Sequence, residues 1–453
     1  MNKKILISLL LLTGISAAFA ASPSDTSQKY TGPHGSLAEV RVASLYEKVT
    51  DRPANGGRSL EETVRVLKET STDLIFRGFW VWNGPIPDSP DNLPPGFADI
   101  AAKRLNIKPE EIPALVRERG ISYEELRNSI SAIKKEMPGV IFVGAIPAQT
   151  LGRIEINPMT GKMLAPADTW KMAFDPQKWN ISYVYKGKLL TKEEIQKSTA
   201  EINQETFDRG YDPGAARGYY PDITNPDFQE LFLSWAEKQI DSGADAIWID
   251  MLYSQTFRLF KMTGDIHHPA VKESYDAASK LIDGIHKYGE SKGKYIYVGT
   301  WSQPAGEVPF EPPKLDFVTT TPTPVEMYSG KLDEAKWDRI NAGIKEKFGN
   351  IPHFAFIDWG GDSERPIDVF SQKMTKEQQK AWLKEADKFF RSKGIIFIYP
   401  VHGGDFTGLG GAKVKAFGKF NKYDALAPEF DTFDTIKELA QNRVKRETHE
   451  AVP

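Results

Sequence analysis

The sequence contains no cysteine. Disulfides, a lipid-modified cysteine and a thiolate metal site are therefore excluded. Histidine is scarce, with 7 in 453 residues, and neither H-x-H nor H-E-x-x-H occurs. That removes the paired imidazoles of helix-borne zinc sites. No G-x-G-x-x-G or G-x-x-x-x-G-K-[ST] follows a strand-like run, so neither a dinucleotide fold nor a P-loop is expected. No cofactor is expected. The net charge is only −3, which gives no electrostatic reason to expect nucleic acid or an anionic membrane as partner. Beyond the first twenty residues no run is apolar and long enough for a transmembrane helix, so no integral membrane segment is expected after processing. Nothing in the sequence sets the oligomeric state.

What is present begins with an export signal. Met1-Asn2-Lys3-Lys4 forms a positive n-region, Ile5 to Leu12 an apolar h-region, and Ala18-Phe19-Ala20 an A-x-A cleavage site. The apolar run falls short of the roughly 20 residues that span a bilayer, so a cleaved signal peptide over 1–20 is expected rather than an anchor. The protein is then secreted, or retained in the periplasm or cell envelope. Residues 21–57 are rich in Ser, Pro and Gly and read as an extension or linker. Ser59-Leu60-Glu61-Glu62 is a capping box and marks the first organised helix.

After that helix short apolar runs recur: 73–82, 139–148, 217–223, 245–251, 295–301, 315–321, 353–359 and 394–401. Near-continuous Val, Ile and Phe suit parallel strands buried on both faces. Amphipathic segments lie between most of them. Asn225-Pro226-Asp227 opens one, with Phe228, Leu231, Phe232 and Trp235 as its stripe; 376–392 is another. Eight strands alternating with helices predict an α/β fold, a (β/α)₈ TIM barrel over 58–445, with a tail at 446–453. An open doubly wound sheet is the alternative. Long insertions over 84–138 and 149–216 follow strands one and two of this count, the second with a hairpin around Asn157–Gly161 and a helix near 191–207. Both leave from carboxyl strand ends, where barrel active sites are built, and read as walls of a substrate cleft.

The residues at those strand ends are rich in carboxylates and aromatics. They include Arg77, Trp80 and Trp82, then Gln149, Tyr220 and Asp222, then Asp250 and Tyr253. Further along come Trp301, Glu307, Thr319 to Thr321, Glu326, Asp358, Trp359, Asp362, Glu364, His402 and Asp405. Glycosidic cleavage requires two carboxyl groups, one to attack or to activate water and one to protonate the leaving oxygen, with aromatic faces to hold the sugar. Asp250, Asp358 and Glu307 are the catalytic candidates, with Glu326 a further candidate acid. Trp80, Trp82, Asp222, Tyr253, Trp301, Trp359 and His402 are candidates for holding a carbohydrate substrate. Asp245, at the start of its strand, lies on the stability face.

Gly243-Ala244-Asp245-Ala246-Ile247-Trp248-Ile249-Asp250 resembles the strand-four signature of retaining α-glycosidases. It follows the G-x-D-G-x-x-x-D pattern of the α-amylase superfamily with Ala246 in place of the second Gly. Ile247–Met251 is similar to the nucleophile segment of glycoside hydrolase family 31 and its clan D relatives, although Leu252-Tyr253 stands where those enzymes carry an acidic residue. Pro221-Asp222-Ile223-Thr224-Asn225-Pro226 resembles the turn before the same helix. The resemblance covers about 35 residues and implies that Asp250 is a nucleophile, or a base if the enzyme inverts. It also implies an acid at the end of strand six in clan D, where this chain has Thr319-Thr320-Thr321. In α-amylase-like barrels the strand-seven aspartate, here Asp358, stabilises the transition state, and the acid follows strand five, the region of Glu307.

Two other functions are compatible with the sequence. The missing strand-six acid suits a carbohydrate-binding barrel without catalysis. Asp358, Asp362 and His402 together suit a metal-dependent hydrolase. Gly403-Gly404 and Gly408–Gly411 read as turns rather than as a phosphate loop.

Overall fold

The structure, a computed structural model, describes residues 37–80, 85–185, 187–197, 218–358, 364–405, 414–416 and 420–450. The expected signal peptide, Trp82, Trp359 and Asp362 lie outside the described residues. Among the described residues no helix is long and apolar enough to cross a membrane.

Eight parallel strands form a ring: β1 (Ala43–Tyr46), β2 (Leu74–Trp80), β3 (Ile141–Pro147), β4 (Ala246–Asp250), β5 (Tyr297–Trp301), β6 (Phe317–Thr320), β7 (His353–Ala355) and β8 (Ile396–Asp405). Each pairs with the next in chain order, and β1 pairs with β8 to close the barrel. A ninth strand, β9 (Lys422–Asp424), runs antiparallel along β8. Helices pack around the outside, among them α1 (Leu60–Glu69), α2 (Tyr123–Glu136), α3 (Pro226–Asp241), α4 (Pro269–Ser291), α5 (Glu334–Phe348), α6 (Lys376–Ser392) and α7 (Phe433–Glu450). The capping residues act as their sequence suggests. Ser59 Oγ accepts from Glu62 N while the Glu62 carboxylate accepts from Ser59 N, and Asn225 Oδ1 accepts from Asp227 N and Phe228 N.

Strand alternation sorts the side chains into two layers. In β4, Ile247 and Ile249 join the layer under the helices, with Ile282 and Ile285 of α4. Ala246 and Trp248 point into the barrel beside Phe76, Phe356 and Trp301. Trp248 meets Phe76 and Phe356 edge-on at 5.3 and 5.8 Å, so the interior is packed side chain rather than pore. Asp250 shares the parity of Trp248 and is the last residue of the strand. It therefore enters the interior at the carboxyl mouth.

Three expectations are corrected. The first barrel strand is Ala43–Tyr46, inside the stretch read as a linker; at four residues it is too short for its periodicity to stand out. The run at 217–223 supplies no barrel strand. Among its described residues Gly218–Tyr219 pairs antiparallel to Leu151–Gly152 and Pro221 makes an isolated antiparallel bridge to Ala173, while Pro221 has no N–H for a ladder. Tyr219 and Tyr220 instead pack on Trp170 and Phe174 of the insertion. The eight-strand count stands with one member exchanged, β4 remains fourth, and the insertions follow β2 and β3. The expected tail from 446 continues α7 to Glu450. The hairpin at Asn157 is present, with Glu155–Asn157 against Lys162–Leu164, and 192–197 are helical.

Candidate active site at the carboxyl mouth of the barrel

Asp250 is 8% exposed at the end of β4. Trp301 Nε1, at the end of β5, donates to Asp250 Oδ1 at 2.7 Å. The indole is fixed from two sides, stacked on Phe356 at 5.1 Å and edge-on to Trp248 at 5.5 Å. Asp250 Oδ2 is much less engaged: Gln149 Nε2 approaches only to 3.5 Å. Met251 takes φ 54°, in the left-handed region, so the chain turns away at once and leaves the carboxyl at the rim. Burial pushes the Asp250 carboxyl up to about 7, opposed by the Trp301 N–H and the Arg77 charge and assisted by the Asp358 charge.

Arg77 is the second fixed point. Its Nη1 donates to Asp358 Oδ2 at 2.6 Å and its Nη2 lies 2.5 Å from Glu47 Oε1. The guanidinium lies 4.4 Å from the Trp80 ring centroid and 5.4 Å from that of Trp248. Burial opposes its charge, but Glu47, Asp358 and Asp250 outweigh that and raise its value further. Glu47 follows β1 directly. Its Oε2 accepts from Gly404 N at 2.7 Å, and a Cβ on Gly403, at φ 100°, would lie 2.4 Å from Glu47 Cβ. Gly403 thus makes room for a carboxylate of the chain itself, and Gly404 binds it. Asp358 N donates to Thr321 Oγ1 at 3.2 Å, and among the described residues Asp358 Oδ1 makes no hydrogen bond. Thr319 Oγ1 accepts from Trp248 Nε1 at 3.0 Å. The threonines that stand in place of a strand-six aspartate therefore position Trp248 and Asp358.

Asp250, Asp358, Trp80, Trp301, Arg77 and Gln149 converge on the mouth. Other expected residues do not. Asp222 holds the turn before α3: its oxygens accept from Thr224 N and Oγ1, Gln255 Nε2 and Lys178 Nζ. Tyr253 is core, its ring 4.8 Å from Tyr275 and its hydroxyl on Ser279. His402 faces the helix layer. Tyr46 pairs with His402 where Leu45 pairs with Pro400, so one extra residue in β8 turns the imidazole to the side of Tyr46. There its Nδ1 meets Asp424 Oδ2 at 2.6 Å, and Asp424 is also held by Arg58. Glu326 caps its own helix and accepts from Asp333 N, Trp337 Nε1 and Lys336 Nζ. Glu307 is exposed on the turn after Ser302–Ala305 and has no contact with Asp250. Trp82 and Trp359 lie outside the described residues. Glu47 was missed because β1 was missed; the alternation in Val40-Arg41-Val42-Ala43-Ser44-Leu45 was the available signal.

No family model matches the sequence, and no curated protein sequence matches it. Solved structures do align with the fold. The type III pullulan hydrolase from Thermococcus kodakarensis aligns with a TM-score of 0.44 at 13% identity, over 92% of this chain and 66% of its own, just under two thirds. A debranching enzyme from Nostoc punctiforme, soaked with acarbose, aligns at 0.47 and 12%, over 90% and 82%. The glycoside hydrolase domain of PelA from Pseudomonas aeruginosa aligns at 0.32 and 10%, over 60% and 83%.

Proposed function

We propose that this chain is an exported O-glycosyl hydrolase acting on an oligo- or polysaccharide through the carboxyl pair Asp250 and Asp358. The observation that carries the reading is the unequal use of their oxygens. Asp250 Oδ1 is held by Trp301 and Asp358 Oδ2 by Arg77, while Asp250 Oδ2 is only loosely approached and Asp358 Oδ1 is unbonded among the described residues. Each carboxyl is oriented by one oxygen and has the other for a substrate.

The two surroundings divide the chemistry. Asp250, whose burial favours the neutral form to about pH 7, supplies the proton to the leaving oxygen. Asp358, against the Arg77 guanidinium, supplies the negative charge that attacks the anomeric carbon or activates water. This exchanges the role that the strand-four resemblance implies for Asp250. Trp80 and Trp301 line the mouth beside the carboxyl pair, Trp80 under the Arg77 guanidinium and Trp301 as the donor that orients Asp250. Incubation with a panel of α- and β-linked glycans should release reducing ends from at least one. A protein that cleaves none of them contradicts the reading.

A second reading is a barrel that binds carbohydrate without cleaving it. Thr319-Thr320-Thr321 at the end of the sixth strand, where a carboxylic acid would stand, favours it. Saturable glycan binding in calorimetry with no product at long incubation would select it.

A further inference from the structure

We propose that Glu47 and Arg77 are a positioning pair: Glu47 anchors the Arg77 guanidinium so that Arg77 holds Asp358 Oδ2 and leaves Asp358 Oδ1 for the substrate. The proposal rests on the carboxyl-pair reading, although its structural half stands without it. In the ring β2 and β7 are separated by β1 and β8. Arg77 of β2 reaches Asp358, just past β7, across that arc, while Glu47 past β1 takes the other half of the fork and Gly404 of β8 donates to Glu47. Four strands of the mouth are tied to one guanidinium.

The backbone is shaped for this contact. Ile75 pairs with Phe142 and Phe79 with Gly144, so four steps of β2 pass two steps of β3 and two residues are extra. Arg77 lies in that irregularity at φ 55°. A side chain with a Cβ is disfavoured in the left-handed region, and an interrupted ladder adds to that cost. A strand needed only to close a barrel gains nothing from either. What the irregularity achieves is to bring a guanidinium between two carboxylates and over the Trp80 and Trp248 rings. A guanidinium, with one nitrogen for Asp358 and a second for the Glu47 charge, suits that place; a lysine ammonium has one point of charge to offer.

Glu47 has a definite part. The charged groups facing Arg77 are Glu47 from β1, Asp358 from β7 and Asp250 from β4, with Trp301 and Gln149 as neutral donors around Asp250. Without Glu47 to hold its other side, the guanidinium swings off Asp358 Oδ2 towards Asp250, the remaining charge that faces it. Glu47 therefore keeps the two reacting carboxyls in unlike surroundings.

The test is Glu47→Gln, which keeps size and an acceptor for Gly404 N–H but removes the charge. Expected is a kcat lower by about ten- to a hundredfold, with KM changed by less than about threefold. The fall of kcat/KM at high pH should begin at lower pH than in the wild type. Added to Asp358→Asn, Glu47→Gln should cost little further, because both act through one carboxyl. A crystal structure of Glu47→Gln should show the 2.6 Å Arg77–Asp358 contact broken. An unmoved contact, or full multiplicative loss in the double variant, overturns the proposal. If the wild type cleaves no glycan, the hydrolase reading fails and the crystal contact alone decides positioning. If Glu47→Gln does not fold, Glu47→Asp, which keeps the charge but shortens its reach to Arg77, is read in its place by the same crystal criterion.

Discussion

The two ends of the barrel use carboxylates in opposite ways. At the amino end each is saturated by the frame. Asp73, before β2, accepts from Arg41 N, Val42 N and the Arg41 side chain. Asp245, before β4, accepts from Phe142 N of β3 and from Lys134. Asp316, before β6, accepts from Val298 N of β5, His286 and Tyr295. In each case an aspartate ahead of one strand bonds an N–H beside or within the previous one, so these groups set strand register. At the mouth, Asp250 and Asp358 each meet one firm donor and keep an oxygen in reserve. Asp245 and Asp250 bracket the same strand, which makes the contrast a controlled one: same element, same residue type, opposite commitment.

Removing each carboxylate in turn separates the two ends. Asp250→Asn should lower turnover by at least about 10³-fold with the fold intact, and Asp358→Asn by a similar factor. Asp245→Ala should do the reverse, with activity per folded molecule within about threefold of wild type and roughly 3 kcal/mol of stability lost in urea unfolding, because Lys134 and Phe142 N lose a buried partner. Equal losses of activity from Asp245→Ala and Asp250→Asn would erase the distinction between the ends.

A second effect follows from burial. The folded-state value of about 7 for Asp250 exceeds its ordinary 3.8. Its contribution is therefore fully present below about pH 4 and is lost as pH rises through 7. Asparagine stays neutral throughout. Asp250→Asn should melt roughly 2–5 °C higher than the wild type at pH 8, and no higher at pH 4. A variant that is less stable at pH 8 would show that the ionised carboxylate is favoured by its site. The smallest effect expected is that of Trp301→Phe, which keeps the stacked ring and deletes the donor. It should reduce kcat/KM by about tenfold and move the high-pH fall upward, since the lost N–H favoured the ionised form.

Much of this was legible in the sequence. The runs that became β4, β5 and β8 are rich in β-branched and aromatic residues and bounded by polar ones, so both their existence and their carboxyl ends could be read. Asp250, Trp301 and Trp80 follow from parity and strand end alone. The failures have local causes. Ala43–Tyr46 is four residues long, and with it Glu47 went unseen. Tyr253 lies three residues past Asp250, but the left-handed Met251 between them turns the chain into the core. His402 stands at a strand end like the others, and a single extra residue in β8 reverses its face. Strand-end position is readable from composition; which face a residue presents depends on bulges that composition does not carry.

The most direct test is the pH dependence of kcat/KM for the wild type on a cleaved glycan, followed from pH 4 to 9. Asp250 as the proton donor predicts a plateau that falls above about pH 7, with the fall displaced upward in Trp301→Phe. A rate that instead rises through pH 7 and stays high would contradict this, assigning Asp250 to attack in its ionised form and leaving the proton donor to be sought elsewhere at the mouth.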